Sequence, residues 1–115
     1  MKALLLSLFA ISFFAFTLFH HGWANYDQDK PITLKGKILS SSYENPHGMA
    51  TIEGNDGKTW NVVLAPPGRM QTRGLSQEML ASGTQAEVLG YPHREESDEM
   101  RAERITINNK TIELR

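Results

Sequence analysis

The sequence contains no cysteine, which excludes disulfide bonds, thiolate metal sites and cysteine nucleophiles. It also lacks an excess of charge of either sign, because 12 Lys and Arg stand against 13 Asp and Glu, for a net charge of −1. Nucleic-acid-binding proteins usually carry a basic stripe, so this balance argues against a nucleic-acid partner. No internal repeat divides the 115 residues, and we expect a single folded domain.

The first 24 residues have the layout of an export signal. Lys2 gives a positive start, and residues 3–19 are uncharged and almost entirely apolar. The small-x-small triplet at residues 22–24 predicts cleavage that leaves Asn25 as the first residue. The alternative is an uncleaved anchor, because the apolar run is long for a signal core and slightly short for a membrane span. We therefore expect export to the periplasm, either free or anchored in the inner membrane.

Three consecutive strands with two sharp corners are predicted between residues 33 and 64. They cover residues 33–43, 49–54 and 58–64, where alternating apolar side chains mark one buried face. Asn45-Pro46 ends the first strand, and the Gly-Asn-Asp-Gly run at residues 54–57 predicts a tight hairpin. This stretch organises the rest of the domain.

The second half of the chain supplies one short helical region and more strands. Residues 69–80 have an apolar stripe that Gly74 interrupts, which predicts two short helical turns rather than one helix. Strands follow at residues 86–90 and 100–107, and the change in apolar alternation between Ala102 and Ile105 predicts a bulge in the second of them. The pair at residues 108–109, Asn-Asn, then predicts a tight turn into a short last strand.

The predicted order of elements is β-β-β-α-β-β, with a short extra strand at the C-terminus. Three strands, a small helix and two more strands is the order of the five-stranded Greek-key OB barrel. We therefore predict a mainly β, OB-like barrel over residues 25–115, with a bend or bulge where Gly36 lies on the inner face. The open alternative is a β-sandwich, for which the chain is short and has few strands.

A set of short motifs occurs in a fixed order from residue 20 to the C-terminus. They are His20-His21-Gly22-Trp23, Tyr26-Asp27, Lys30-Pro31, Leu34-x-Gly36, Asn45-Pro46-His47, Trp60-Asn61, Ala65-Pro66-Pro67, Arg73-Gly74-Leu75, Gly90-Tyr91 and Arg101-Ala102-Glu103. Together they resemble the small exported bacterial proteins of domain of unknown function family 6152. The resemblance implies an exported, OB-like β domain and no particular activity. Phe19 stands directly before the His-His pair, where family members usually carry a small residue that permits cleavage.

Four histidines are candidate metal ligands, namely His20, His21, His47 and His93. Imidazole is a common ligand for copper and zinc outside thiolate sites, and copper is the metal we would name in an exported chain without cysteine. A chain beginning at His20 would chelate one ion with its amine and ring together. His47 lies at a strand corner and His93 on a loop, where a ligand can project. The other interpretation is that both are ordinary turn and surface residues.

Aromatic side chains offer a second candidate site, a ligand face on the barrel. OB folds bind ligands on one sheet face and its flanking loops, and the candidate stacking groups here are Tyr43, Tyr91 and Trp60. Tyr43 and Tyr91 lie near strand ends. Alternation with Val62 and Leu64 favours a place in the core for Trp60.

Two further patterns have plainer interpretations. The acids Glu95, Glu96, Asp98 and Glu99 lie on a charged loop, where we expect them to be solvated. Ser40-Ser41-Ser42 with His47 lacks a nucleophile elbow. We therefore predict no enzyme activity. Pro66-Pro67-Gly68-Arg69 is either a docking edge for a partner or only the end of the sheet.

We therefore predict an exported, non-enzymatic binding or accessory module of the bacterial envelope. It would bind a metal ion or small ligand through the strand-corner histidines. The alternative is a membrane-tethered structural or protein-interaction domain. Expected partners are a small ligand, a metal such as copper, or an envelope protein, with membrane contact only through an uncleaved N-terminal segment.

Overall fold

The computed structural model describes residues 22–115, which form six strands, one α-helix and two 3₁₀ turns. The strands are β1 (Ile32–Ser42), β2 (Met49–Gly54), β3 (Thr59–Val63), β4 (Gln85–Pro92), β5 (Glu99–Ile107) and β6 (Lys110–Glu113). Helix α1 (Pro67–Thr72) follows β3, and the 3₁₀ turns lie at Trp23–Asn25 and Glu78–Leu80. The predicted order of elements is confirmed, including the division of the helical region into two short turns.

The first five strands close into a barrel. The sheet order is β3-β2-β1-β4-β5-β6, and a parallel pairing of β3 with β5 joins the ends of the five-stranded part. In that pairing Val62 lies opposite Met100, while all other strand pairs are antiparallel. Among the described strands, β6 pairs only with β5 and is the extra strand. The structure is therefore mainly β, with a closed five-stranded barrel, and it is consistent with the predicted OB-like fold.

Alternation along the strands decides which side chains fill the barrel. On β1, Leu34 and Ile38 are buried while Lys35 and Lys37 between them are exposed, because successive side chains point to opposite faces. The largest fully buried side chains come from five strands and from the segments after β3 and β6: Ile38, Ile52, Val62, Val88, Met100, Ile105, Ile107, Leu64, Met70, Leu75, Leu80 and Leu114. They form one continuous hydrophobic core.

Helix α1 begins and ends where its sequence dictates. Pro67 occupies the first turn, where its missing N–H costs no hydrogen bond. The helix ends at Thr72, Gly74 follows shortly after with φ +90°, and the backbone N–H of Leu75 donates to the carbonyl of Met70 at 2.8 Å. Met70 and Leu75 are fully buried, so this short helix adds apolar side chains to the core.

Two irregularities change the register of the barrel strands. On β5, Arg104 pairs with Leu89 and Ala102 with Gly90, so Glu103 has no partner on β4. This confirms the bulge expected there. On β1 the shift lies at Leu39, beyond Gly36, where we expected a bend. Gly36 instead permits a close approach to β2, because a Cβ at this position would lie 2.1 Å from the carbonyl oxygen of Glu53.

The predicted N-terminal signal falls largely outside the described residues. Trp23 and Ala24, which the cleavage pattern places at its last positions, form the first 3₁₀ turn together with Asn25. Between residues 22 and 115, the structure shows no helix with the length and apolar character needed to cross a membrane.

Candidate functional site

The outer wall of the barrel, where β4 ends and β5 begins, carries stacked aromatic rings and guanidinium groups. We call this group the arginine–tryptophan cluster, and its members are Trp23, Tyr26, Tyr91, Arg101 and Arg115. The guanidinium carbons of Arg101 and Arg115 lie 4.4 and 4.2 Å from the centre of the Trp23 ring. The rings of Tyr26 and Tyr91 meet the indole edge-on, at 6.5 and 6.2 Å between centres. Trp23 is therefore the centre of the cluster.

Strand geometry explains how the cluster assembles. Met100 and Ala102 are buried, so alternation turns Arg101 away from the barrel interior. Tyr91 is its direct partner on β4. The N-terminal segment then continues the pairing beyond β4, because Tyr26 forms an antiparallel bridge with His93. Sheet pairing thus brings Tyr26 of the N-terminal segment to the same surface as Tyr91 and Arg101.

Tyr26 is held as a neutral hydrogen-bond donor. It is 6% exposed, and its hydroxyl donates to Oε2 of Glu99 at 2.5 Å. Burial raises the pKa of Tyr26 strongly, and the hydrogen bond to Glu99 and the charge of that carboxylate raise it further, while Arg101 lowers it. The carboxylate of Glu99 is therefore engaged in a hydrogen bond with Tyr26.

A second tyrosine occupies the other nearby carboxylate. The hydroxyl of Tyr91 donates to Oε2 of Glu103 at 2.9 Å, and this hydrogen bond, followed by burial, raises the pKa of Tyr91. Nη1 of Arg115 lies 3.7 Å from Oε1 of the same Glu103 and donates to Oε1 of Gln28 at 2.9 Å. The bulged residue Glu103 therefore accepts a hydrogen bond from Tyr91 with one carboxylate oxygen and pairs with Arg115 through the other.

Arg101 differs from Arg115, because no carboxylate pairs with it. Its Nε is buried without a hydrogen-bond partner, and no acid among residues 22–115 lies within ion-pair distance of it. Residues 1–21 contain no Asp or Glu. Burial lowers the pKa of Arg101, Tyr26 raises it, and Arg69 and Arg115 lower it further. The site is thus a half-buried cation with other cations close by.

The predicted metal ligands have separate roles where the structure describes them. Nδ1 of His93 accepts the backbone N–H groups of Glu95 and Glu96 at 3.1 and 3.0 Å, while its Nε2 lies 3.9 Å from Glu99. Nδ1 of His47 is buried and has no partner. No group of three potential metal ligands from His, Cys, Asp and Glu occurs within residues 22–115. His20 and His21 lie outside the described residues.

The predicted stacking residues lie in three different surroundings. Trp60 is in the core at 8% exposure, with Nζ of Lys58 3.9 Å from its ring centre. The Tyr43 hydroxyl donates to the carbonyl of Leu75 at 2.5 Å. Tyr91 belongs to the arginine–tryptophan cluster, and of the three it alone contacts that cluster within the described chain.

Sequence reasoning missed Trp23, Arg101 and Arg115 as candidate site residues. The cleavage pattern assigns Trp23 to the signal, and Arg101 carries no local pattern that separates it from other exposed strand residues. The one available signal was the resemblance, since Trp23 and Arg101 both belong to its motifs.

The comparisons with known proteins identify the family. A family model described as "Family of unknown function (DUF6152)" matches residues 8–101. The chain belongs to this family. The match confirms the resemblance, and the DUF6152 region includes Trp23 and Arg101 from the cluster. No curated protein matches this sequence.

A solved structure supports the fold of this DUF6152 chain. It is the crystal structure of TiaS in complex with an isoleucine tRNA and ATP, with a TM-score of 0.51 and 23% sequence identity. The alignment covers 78% of this chain and 20% of that chain, so the barrel corresponds to about one fifth of the larger protein. At this identity the likeness concerns the fold alone.

Proposed function

We propose that this DUF6152 protein is an exported, non-enzymatic binding module that binds an oxyanion group of a small ligand at the arginine–tryptophan cluster. The observation that carries the proposal is Arg101, a half-buried guanidinium whose Nε has no partner and which no carboxylate neutralises. The positive start at Lys2 and the apolar run at residues 3–19 support export.

The energetics of arginine burial support an anion at this position. Leaving a buried donor unsatisfied costs roughly 1–3 kcal/mol, and more for a charged group. Arginines buried for structural reasons are normally paired with an acid. Even the exposed Arg115 lies 3.7 Å from Glu103. A carboxylate or phosphate would accept hydrogen bonds from the guanidinium N–H groups of Arg101 and so offset this cost. Arg69 and Arg115, whose charges disfavour the Arg101 cation, would favour the bound anion.

The surroundings of Arg101 also suit recognition rather than a reaction. The Trp23 ring lies under the guanidinium and limits its rotation. Both neighbouring carboxylates, Glu99 and Glu103, accept hydrogen bonds from tyrosines. Neither is placed to pair with the guanidinium of Arg101. The proposal assigns no chemical step to the cluster.

Fluorescence of Trp23 tests the proposal directly. In a Trp60→Phe background Trp23 is the remaining tryptophan, and inorganic phosphate and succinate are titrated separately at constant ionic strength. We expect a saturable change in emission with one or both anions, and at least a tenfold loss of affinity in Arg101→Gln. The matched control is Arg104→Gln, on the same strand, where the side chain pairs with Glu113 at 2.9 Å. Equal affinity in the two arginine variants, or no saturable change, would reject the site.

A metal site is the second candidate, and one observation favours it: Nδ1 of His47 has no partner. His47 would be the best-placed ligand, with His20, His21 and His93 as its possible partners. Copper titration of the exported full chain, compared with His47→Ala, tests this candidate. Unchanged copper content in His47→Ala would remove it without affecting the anion proposal.

A further inference from the structure

The N-terminal segment is built into the barrel wall by backbone hydrogen bonds on both sides of residue 25. The backbone N–H of Asp27 donates to the carbonyl of Pro92, and that of Arg94 donates to the carbonyl of Asn25, both at 2.8 Å. Nε of Arg94 donates to the carbonyl of Ala24 at 3.0 Å. The peptide between Ala24 and Asn25 therefore lies inside a docked segment, although the sequence pattern predicts cleavage there.

The Trp23 side chain adds further contacts to this backbone docking. Its ring contacts two guanidinium groups, from β5 and from the C-terminal residue Arg115, and the edges of two tyrosine rings. Without Trp23, Arg115 would lose the aromatic ring that faces it, and Arg101 would retain the more distant Tyr26 ring, 6.0 Å away. Each of these contacts is worth roughly 0.5–2 kcal/mol, which is a substantial part of the stability of a domain of this size.

We infer that Trp23 stays in the mature protein, so that any signal cleavage occurs before Gly22 and not between Ala24 and Asn25. The small-x-small triplet at residues 22–24 is then part of the folded domain and not a processing signal. Gly22 fits this role, since a Cβ there would lie 3.3 Å from Nη1 of Arg101. The inference does not require an anion to be bound, and it holds equally for an uncleaved chain.

One substitution decides between the two boundaries. The full chain and its Trp23→Ala variant are expressed in a bacterial host, and the intact mass and melting temperature of each mature protein are measured. If Trp23 is retained, the two masses differ by the tryptophan-to-alanine difference, and the variant melts at a temperature lower by about 5 °C or more. If cleavage follows Ala24, the two mature chains are identical in both measurements, which would overturn the inference.

A second variant tests the same boundary if the Trp23→Ala protein does not accumulate. Ala24 is exposed, so Ala24→Tyr is expected to fold, but a bulky residue at this place blocks cleavage after residue 24. We expect the N-terminus of Ala24→Tyr to equal that of the wild-type protein. A wild-type chain beginning at Asn25 and a longer Ala24→Tyr chain would contradict retention of Trp23. Binding of phosphate plays no part in either readout, so failure here and failure of the anion site are distinguishable.

Discussion

Trp23 and Arg101 are in direct contact, with the guanidinium carbon 4.4 Å from the centre of the indole ring, although one belongs to the N-terminal segment and the other to β5. Arg115, the last residue, lies over the same ring at 4.2 Å. A single aromatic side chain therefore joins both ends of the described chain to the barrel wall. The proposed anion site and the inferred processing boundary both depend on this contact.

Replacing Gly36 by Ala should destabilise the barrel. The added Cβ would lie 2.1 Å from the carbonyl oxygen of Glu53, and this neighbour is backbone that cannot move without disturbing β2. We expect the free energy of unfolding to fall by about 3 kcal/mol, as for overpacked cores, in urea titrations followed by circular dichroism.

Gly68→Ala is the matched control for Gly36→Ala. Gly68 lies in α1, where a Cβ would meet no atom within 4 Å and where alanine is the better helix former. We expect this variant to be more stable than the wild type by about 0.5 kcal/mol. Similar losses in the two variants would mean that the close approach of β1 and β2 is not what Gly36 provides.

The hairpin between β5 and β6 depends on two asparagines with positive φ. Asn108 and Asn109 have φ of 51° and 63°, a region that asparagine and glycine tolerate and β-branched residues avoid. We expect Asn109→Val to lower the free energy of unfolding by about 1–2 kcal/mol, and Asn109→Gly to leave it unchanged or slightly raised. The same urea titrations measure both, and a valine variant as stable as the glycine variant would exclude this turn geometry.

The raised pKa of Tyr26 predicts that stability falls in alkaline solution. Burial and the hydrogen bond to Glu99 keep the folded tyrosine protonated above the pH at which an unfolded one ionises, about 10. Above that pH the unfolded state loses a proton that the folded state retains, so the free energy of unfolding decreases as pH rises. Tyr26→Phe should make this slope shallower above roughly pH 10.

The control for the alkaline prediction is Tyr43→Phe. The pKa of Tyr43 is also raised, first by burial, but this hydroxyl donates to a backbone carbonyl rather than to a carboxylate. We expect Tyr43→Phe to retain more of the alkaline slope than Tyr26→Phe. An identical slope in Tyr26→Phe and the wild type would show that Tyr26 ionises normally in the folded protein.

The barrel could be predicted from the sequence because its determinants are local. Alternation in β1 to β3, the Gly-Asn-Asp-Gly run and Asn108-Asn109 each report the conformation of neighbouring residues. The bulge in β5 is also visible in the sequence, because the alternation of apolar and polar residues changes phase between Ala102 and Ile105. The bend expected near Gly36 shows the limit, since a glycine indicates a special backbone position without saying which kind.

The candidate site could not be predicted because its contacts join residues far apart in sequence. No sequence feature near Trp23 indicates that Arg101 and Arg115 will lie over its ring. The small residues on either side of Trp23 instead match the pattern of a cleavage site. The unpaired state of Arg101 is equally invisible in the sequence. It depends on Glu99 and Glu103 being occupied by tyrosines, which only the sheet register determines.

The most direct test of the proposed function observes the Arg101 Nε–H group itself. In nitrogen-15 NMR spectra of the full chain, assigned with Arg101→Gln and Arg104→Gln, inorganic phosphate is added at constant ionic strength. We predict that the Arg101 Nε–H resonance shifts saturably while the Arg104 resonance stays in place. An Arg101 resonance that does not respond to phosphate or to succinate, or a uniform shift of all arginines, would contradict an oxyanion site at the arginine–tryptophan cluster.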